Sequence, residues 1–338
     1  MNFANDNPLK QRMETFDLRY YLDGIRACDR RIIAKAITLI ESTLPAHQAR
    51  ARDILARLLP HGQKVIRLGI TGVPGVGKSV FIESLGMMLI RKGHRVAVLA
   101  VDPSSQKSGG SVMADKTRME KLSLEENAFI RPSPSKGALG GVAGKTREAM
   151  IICEAAGFDV VIIETIGVGQ SETTVAAMVD FFLLLLLAGA GDEFQGIKKG
   201  ILELADALVV TKADGENKER AEQAQRTYQA ALGLFSPAAS QWRPPVLTCS
   251  ALEMTGIGEV WQTVLEHREM SERSGELQSK RRNQAREWML SLLDEGLKNR
   301  FFQNPAIKKI LPEATREVEE GLTTPAAAAD RLLKLSDA

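Results

Sequence analysis

One short run, TGVPGVGKS at residues 71–79, constrains this chain more than any other feature. It matches the pattern G-x-x-x-x-G-K-[ST], and it lies between an apolar run at 65–71 and a segment with apolar residues at helical spacing. Glycines let backbone N–H groups turn toward phosphate oxygens, and the following helix directs its positive N-terminal end at the same point. The sequence therefore predicts a strand, a phosphate-binding loop and a helix, in that order.

The residue types in this loop fit a triphosphate that is bound together with Mg²⁺. Lys78 is placed to neutralise charge on the outer phosphates, and the Ser79 hydroxyl is placed to ligate the cation. A glycine-rich turn without a ligand is the alternative, but the flanking strand and helix favour a phosphate-binding loop. The residues predicted to contact the phosphates are Gly72, Val73, Pro74, Gly75, Val76, Gly77, Lys78, Ser79 and Val80.

The middle of the chain alternates between short apolar runs and amphipathic segments. This alternation predicts an α/β fold with a doubly wound, mostly parallel sheet. Residues 1–61 and the end of the chain show helical patterns only. We therefore expect an N-terminal helical extension (1–61), a P-loop domain (62–265) and a C-terminal helical region (266–338). The predicted strands lie at 65–71, 95–102, 159–164, 180–188, 206–212 and 245–251.

Composition excludes several function classes. Lys and Arg (44) nearly balance Asp and Glu (42), so we expect no nucleic-acid partner. The run FFLLLLLAGAG at 181–191 is shorter than the roughly 20 apolar residues of a spanning helix, so we interpret it as a central strand and expect no membrane segment. Three scattered cysteines and a polar N-terminus favour a reducing compartment, and we expect a cytoplasmic protein.

Two predicted strands end in a carboxylate. Glu164 follows the buried run VVII, and Asp102 follows VLAV. Ligands of doubly wound sheets bind at the carboxyl ends of the strands, and a buried carboxylate needs a compensating charge. Mg²⁺ supplies such a charge and prefers oxygen ligands, so both residues are predicted to face it. A helix N-cap or a solvated strand end is the alternative for each. Gly167, in the loop after Glu164, would let the chain approach a γ-phosphate.

The segment VVTKADG at 209–215 resembles the N-K-x-D element that reads guanine. In this interpretation Lys212 lies over the base, and the Asp214 carboxylate accepts from guanine N1–H and the 2-amino group, which adenine lacks. Thr211 stands where Asn is usual; because that Asn mainly braces the loops, the departure bears on affinity more than on base choice. The run SAL resembles the loop whose backbone reads guanine O6, which adds Ser250, Ala251 and Leu252.

Taken together, the motifs resemble those of the MeaB/MMAA/ArgK family, from about residue 25 to 300. The matching runs are GITGVPGVGKS, AVDPSS, GGSVMADKTRM, IRPSPSKGALGG, ETIGVGQSE and AGAGDEFQGIKKGILELAD. Members of this family are SIMIBI-class P-loop GTPases that act as chaperones of adenosylcobalamin-dependent acyl-CoA mutases, above all methylmalonyl-CoA mutase. The resemblance implies the same activity and partner here, and a homodimer built by the C-terminal helices, although the apolar stripe of those helices could equally pack on its own core.

The resemblance also implies site residues that the motifs alone do not. Mg²⁺ would be surrounded by Ser79, Asp102, Asp115 and Glu164. Arg118 would contact the phosphates from a first switch segment. Asp192 and Lys198 would change partners with the nucleotide state, and Lys198 would assist hydrolysis when the mutase is bound. Without the resemblance, Asp192 and Lys198 would be interpreted as two surface charges too far apart to meet.

Other functions remain as alternatives. A P-loop kinase of a small molecule or a transport component would need arginines in a lid, and Arg131 and Arg147 are candidates. A nickel-inserting GTPase would need clustered His and Cys ligands, and the sequence does not cluster them. A binding module without turnover is the third. No water-orienting residue is identified, so we expect slow intrinsic hydrolysis that a partner accelerates.

Overall fold

The computed structural model describes residues 18–58, 65–101, 119–132, 139–165, 171–188, 199–235 and 241–336. The chain divides into two compact units, with the division between Arg281 and Arg282. The first unit contains the sheet and most helices, and the second contains helices only.

The first unit is built on a seven-stranded sheet in which every neighbouring pair of strands is parallel. Its order is β3-β2-β4-β1-β5-β6-β7, which confirms the doubly wound fold. The strands are β1 Ile66–Gly72, β2 Val96–Val101, β3 Ala128–Arg131, β4 Val160–Thr165, β5 Phe181–Leu187, β6 Ala207–Thr211 and β7 Val246–Thr248.

Two strands differ from the sequence prediction. The prediction missed β3, which is only four residues long and partly exposed at the sheet edge, so it carries little apolar signal. The other edge strand, β7, is shorter than predicted because the chain turns at Ser250 to pair with Thr255. The central strand β5 is as expected: Phe181 and Leu183 pack on one face of the sheet, and Phe182 packs on the other.

The N-terminal helices share a core with one face of the sheet. They are α1 Leu18–Arg26, α2 Arg30–Glu41 and α3 Pro45–Arg57, and they pack against α6 Leu139–Ala155. The apolar stripe of α2 includes Ile33 and Ile37, both fully buried. The Asp29 carboxylate caps α2 by accepting from the backbone N–H groups of Arg31 and Ile32 at 2.8 and 3.3 Å. Further helices on this face are α7 Ser171–Ala176, α8 Lys199–Leu204 and α9 Lys218–Phe235.

The opposite face is covered by α4 Lys78–Arg91, α5 Glu120–Leu124 and α10 Ile257–Arg273. Gly86 of α4 lies against Leu122 of α5, where an added Cβ would meet the leucine side chain at 2.8 Å. Glu83 accepts from the backbone N–H groups at the start of α5, with 2.8 Å to Lys121 N. The helix that follows the phosphate-binding loop is therefore fixed to its neighbour by both packing and capping.

A partly buried ion pair joins the start of α11, Glu276–Gln303, to the sheet. The Asp180 carboxylate accepts from Arg281 Nε at 2.8 Å, from Arg281 Nη2 at 2.6 Å and from the backbone N–H of Arg67 at 2.9 Å. Arg281 Nη2 also donates to Val65 O at 2.7 Å. Burial opposes the charge on Arg281, and the hydrogen bond to Asp180 overcomes this effect and raises the guanidinium pKa. The pair fixes the residues immediately before β1.

The imidazole of His267, on α10, is packed beneath the sheet between two aromatic rings. The ring centroids of Phe181 and Trp242 lie 5.1 and 4.9 Å away. Burial lowers the His267 pKa more than the nearby Asp206 carboxylate raises it. His267 is therefore held as a neutral ring in the folded protein.

The second unit contains the rest of α11 with α12 Pro305–Glu319 and α13 Pro325–Ser336. Its small core is formed by Ile307, Ala314 and Leu332. The apolar stripe predicted on α11 does not join that core: its residues Met289, Leu292, Leu293 and Leu297 are 45–62% exposed, and the adjacent Leu290 is 44% exposed. Among the helices that the structure describes, none is long and apolar enough to cross a membrane.

Candidate nucleotide-binding site

The phosphate-binding loop turns between β1 and α4 on glycines with left-handed backbone. Gly75 and Gly77 have φ angles of 80° and 95°. Gly72 has a φ of 153°, and a Cβ there would lie 2.6 Å from Leu185 O of the neighbouring strand. The loop therefore passes β5 too closely for any side chain at position 72, and the glycine requirement seen in the sequence has a steric cause.

Lys78 and Ser79 lie at the start of α4, where the helix presents its free N–H groups. Lys78 Nζ donates to Gly72 O at 2.7 Å and to Val73 O at 3.3 Å, which holds the ammonium group over the loop. The Ser79 hydroxyl donates to Glu164 Oε1 at 3.2 Å. The loop and the end of β4 are thus brought together as the sequence predicted.

The donor set formed by Ser79 and Glu164 fits a hard cation. Glu164 is only 5% exposed, so its carboxylate lies in a position that is costly without a compensating charge. A hydroxyl and a carboxylate are the oxygen ligands that Mg²⁺ prefers. Two further predicted ligands, Asp102 and Asp115, lie outside the described residues.

A buried hydrogen bond ties the strand ends beneath this pair. Thr71 Oγ1 and Thr165 Oγ1 are 2.8 Å apart, and both residues are fully buried. Thr71 immediately precedes the phosphate-binding loop, and Thr165 immediately follows Glu164. The contact fixes the spacing of β1 and β4 at the point where the cation would sit.

The predicted base-reading loop follows β6. Lys212 has a left-handed backbone with a φ of 57°, which is unusual for a residue other than glycine. The side-chain amide of Asn217 donates to Lys212 O at 2.7 Å and stabilises this conformation. A Cβ on Gly77 would lie 4.0 Å from Lys212 Cε, so the lysine stem extends over the phosphate-binding loop. Sequence reasoning missed Asn217, because nothing in the local pattern marks its side chain as a partner of a backbone carbonyl.

Asp214 is oriented by the second loop. Ser250 is fully buried, and its hydroxyl donates to Asp214 Oδ2 at 2.5 Å. The Ser250 oxygen also accepts from Glu253 N at 3.1 Å. The sequence predicted a backbone role for Ser250; the structure adds this side-chain role. Burial, followed by the charge of Asp214, raises the pKa of Cys249 to about 12, so the thiol beside this pair stays protonated.

Four other predicted site residues lie outside the described residues: Arg118, Gly167, Asp192 and Lys198. Their roles stay predictions. The remaining predicted phosphate, base and cation residues are all described, and they lie at the carboxyl ends of β1, β4, β6 and β7, in the loops that follow β1, β6 and β7, and at the start of α4.

The two arginines proposed for a kinase lid are engaged within the protein. Arg131 forms an ion pair with Glu41 of α2 and donates to Thr38 Oγ1 at 3.2 Å. Arg147 donates to Ala177 O at 2.9 Å, and burial lowers its pKa. Arg131 thus connects β3 to α2, and Arg147 connects α6 to the end of α7.

Comparison with known proteins agrees with this geometry. A sequence model of the family described as "Methylmalonyl Co-A mutase-associated GTPase MeaB" matches residues 33–306. A probable GTPase of Mycobacterium tuberculosis is 53% identical over 314 residues, which covers 93% of this chain and 94% of the relative. GTPase ArgK of Escherichia coli is 46% identical over 301 residues, with 89% and 91% coverage.

Two further similarities extend the comparison. The mouse protein named methylmalonic aciduria type A homolog, mitochondrial, is 45% identical over 339 residues, covering 96% of this chain and 81% of that protein. A crystal structure described as an LAO/AO transport system kinase superposes with a TM-score of 0.74 at 40% identity, covering 95% of this chain and 98% of that one. With its phosphate-binding loop between β1 and α4, this chain is a GTP hydrolase that belongs to the MeaB family of methylmalonyl-CoA mutase-associated GTPases.

Proposed function

We propose that this GTPase acts as a chaperone of an adenosylcobalamin-dependent acyl-CoA mutase, with methylmalonyl-CoA mutase as the first candidate. GTP hydrolysis would gate the loading of cobalamin into the mutase or protect the loaded enzyme. Two observations support the proposal: the family description names that mutase, and the mouse relative is named for methylmalonic aciduria. The GTP and GDP forms would differ in affinity for the mutase, so hydrolysis shifts the population of the complex.

The geometry that carries the nucleotide choice is the Asp214 carboxylate held by Ser250. A carboxylate oriented in this way accepts two hydrogen bonds from guanine. Asp214→Asn keeps the acceptor for Ser250 but presents an amide donor to the base, so it should lower GTP affinity by about 100-fold or more, since each charged hydrogen bond contributes about 1.5–3 kcal/mol.

The matched probe for this variant is XTP, whose 2-oxo group accepts from the new amide. We expect isothermal titration calorimetry to show tighter XTP binding and weaker GTP binding in Asp214→Asn than in the natural protein. An unchanged ratio of GTP to XTP affinity would show that Asp214 does not read the base.

Mg²⁺ is part of the proposal, held by Ser79 and Glu164 with Asp102 and Asp115. When bound, it would supply positive charge to the β- and γ-phosphate oxygens. Lys78 would hold the same oxygens from the other side of the loop. A water oxygen bonds to the γ-phosphorus as the bond from the γ-phosphorus to the β–γ bridging oxygen breaks, which gives GDP, inorganic phosphate and a released proton. Arg118, Asp192 and Lys198 would act from the switch segments, as the family resemblance implies.

The partner is tested by single-turnover hydrolysis of GTP with and without purified methylmalonyl-CoA mutase. We expect a slow rate for the protein alone and an increase of at least tenfold with the mutase. A rate that is already fast alone would contradict partner activation. A matched reaction with an acyl-CoA enzyme that lacks cobalamin provides the control, and equal acceleration by that enzyme would exclude specificity for the mutase.

We also propose that the exposed stripe of α11 pairs with a second copy of this chain. The stripe covers about two and a half helical turns of a unit whose own core is small, and exposed apolar patches of this kind mark interaction sites. Two identical stripes can cover each other around a twofold axis. In light scattering after size exclusion, Leu293→Glu should shift the protein from dimer to monomer, whereas Leu322→Glu, at an exposed leucine outside the stripe, should not.

The cellular compartment is a further part of the proposal. Cys28, Cys153 and Cys249 are all free thiols. Free thiols fit a reducing compartment, so we place the protein in the cytoplasm. Labelling of total thiols in freshly lysed cells should find all three cysteines reduced, and oxidised cysteines in that assay would contradict the assignment.

A further inference from the structure

Thr211 occupies the position at which guanine-reading loops usually have Asn, and the structure shows what it contacts. It lies at the end of β6 and is 4% exposed. Its hydroxyl lies 2.7 Å from Val76 O of the phosphate-binding loop and 3.1 Å from Leu186 O of β5. A threonine hydroxyl has a single proton, so the shorter contact, to Val76 O, is the main hydrogen bond.

The Val76 carbonyl needs this donor. Val76 is fully buried, and its own N–H donates within the loop to Val73 O at 3.2 Å. A buried carbonyl that loses its donor keeps the cost of having left water without the hydrogen bond that offsets it. The Thr211 hydroxyl therefore connects the base-reading loop to the phosphate-binding loop across 135 residues of sequence.

A second side chain makes an equivalent connection to the other base-reading loop. Ser84 lies on α4, the helix that begins at the phosphate-binding loop, and its hydroxyl donates to Ala251 O at 2.9 Å. Ala251 is next to Ser250, the residue that orients Asp214. Both loops that would contact guanine are thus tied to the element that contacts the phosphates.

The short segment that links Thr211 to Asp214 is rigid. Asp214 is three residues beyond Thr211, and the intervening Lys212 is locked in a left-handed backbone by Asn217. A displacement of Thr211 is therefore transmitted to the Asp214 carboxylate instead of being absorbed between them. Hydrogen bonds tolerate displacements of only a few tenths of an ångström before they weaken.

We propose that Thr211 and Ser84 are positioning residues that set the place of the guanine base relative to the triphosphate, and that Thr211 performs the bracing usually done by Asn. The inference rests on the guanine reading proposed for Asp214. Removing either hydroxyl should leave the phosphate-binding loop able to bind phosphates but should move Asp214 away from the base. Selectivity among purines, and not phosphate binding, is the property that these two residues control.

The test compares GTP with ITP, which lacks the 2-amino group, and with inorganic tripolyphosphate, which has no base. We expect Thr211→Val, which keeps the shape of the side chain but removes the donor, to weaken GTP binding by about 5- to 50-fold, in line with the loss of one buried hydrogen bond. The ratio of GTP to ITP affinity should fall toward one, and tripolyphosphate affinity should change by less than about twofold. Thr211→Ser restores the hydroxyl and should restore the ratio.

Ser84→Ala provides an independent second variant. Because Ser84 is half-buried on a helix, its replacement by alanine is compatible with folding. We expect the same fall in the GTP to ITP ratio, and a larger fall when it is combined with Thr211→Val.

Three results would overturn the proposal. The first is an unchanged GTP to ITP ratio in Thr211→Val and in Ser84→Ala. The second is an equal loss of affinity for all three probes, which indicates general destabilisation. The third is failure of Thr211→Ser to restore the ratio. Asp214→Asn in the same titrations distinguishes failure of this inference from failure of the guanine reading. If Asp214→Asn changes base preference while the Thr211 and Ser84 variants do not, only this inference fails. If Asp214→Asn leaves base preference unchanged, the guanine reading fails as well.

Discussion

The ion pair between Asp180 and Arg281 connects α11 to the sheet, and Asp180→Ala tests how much it stabilises the folded protein. The Asp180 side chain is 8% exposed and accepts three hydrogen bonds, two from Arg281 and one from the backbone of Arg67. Its removal leaves the Arg67 N–H without this acceptor, at a cost of about 1–2 kcal/mol.

The same change also leaves the guanidinium of Arg281 without its carboxylate. Breaking a fully buried pair costs about 3–5 kcal/mol. The Arg281 side chain is 27% exposed and keeps its bond to Val65 O, so water and that carbonyl offset part of the loss. Adding the two parts, we expect a total of about 3–4 kcal/mol in the free energy of unfolding for Asp180→Ala.

A double-mutant cycle separates the parts. Asp180→Asn keeps an acceptor for Arg67 N–H and should cost about 1 kcal/mol less than Asp180→Ala. Asp180→Asn combined with Arg281→Met should give a coupling energy of about 1–2 kcal/mol. Urea unfolding followed by circular dichroism and by tryptophan fluorescence measures each free energy. A cost below about 1 kcal/mol for Asp180→Ala, or additive single effects, would refute the reasoning.

Three further changes have defined outcomes. Gly72→Ala should abolish measurable GTP binding, because the new Cβ would lie 2.6 Å from Leu185 O. Gly75→Ala has open space around it and should cost only about 1 kcal/mol of backbone strain. Equal losses of GTP affinity for the two variants in calorimetry would contradict the steric argument. The folded pKa of His267 is depressed, so its contribution to stability is present above pH of about 6.5 and is lost as the pH falls through the folded pKa. Between pH 7.5 and 5.5 the melting temperature should therefore fall less for His267→Gln than for the natural protein. Parallel plots of melting temperature against pH for the two proteins would disprove this role. Glu164→Gln should raise the Mg²⁺ concentration that gives half-maximal hydrolysis by about 10- to 100-fold, and should leave the affinity for GTP in the absence of Mg²⁺ unchanged. An unaltered Mg²⁺ dependence would exclude Glu164 as a ligand.

Much of the fold could be predicted because its signals are local. The phosphate-binding loop, the buried strand β5 and the helical stripe of Ile33 and Ile37 each occupy a short continuous segment. Local periodicity and glycine spacing are sufficient to identify such segments. The edge strand β3 could not be predicted, because four residues, two buried and two half-exposed, carry little periodicity.

The parts of the site that the sequence did not predict are contacts between distant segments. Thr211 and Val76 are 135 residues apart, and Ser84 and Ala251 are 167 apart. Serine and threonine hydroxyls at such positions look like ordinary helix or strand residues until the sheet order brings their loops together. The departure from Asn at position 211 was visible as an anomaly, but only the geometry shows which carbonyl the hydroxyl contacts.

The N-terminal helices have a consequence for any attempt to trim this protein. Because Ile33 and Ile37 are fully buried in the same core as the sheet, a shortened chain that starts at residue 62 would leave the apolar side of α6 open to water. Such a fragment would keep every residue predicted to contact the nucleotide and yet aggregate on expression. The minimal working GTPase is therefore larger than its motifs, because it includes the N-terminal helices that complete this core.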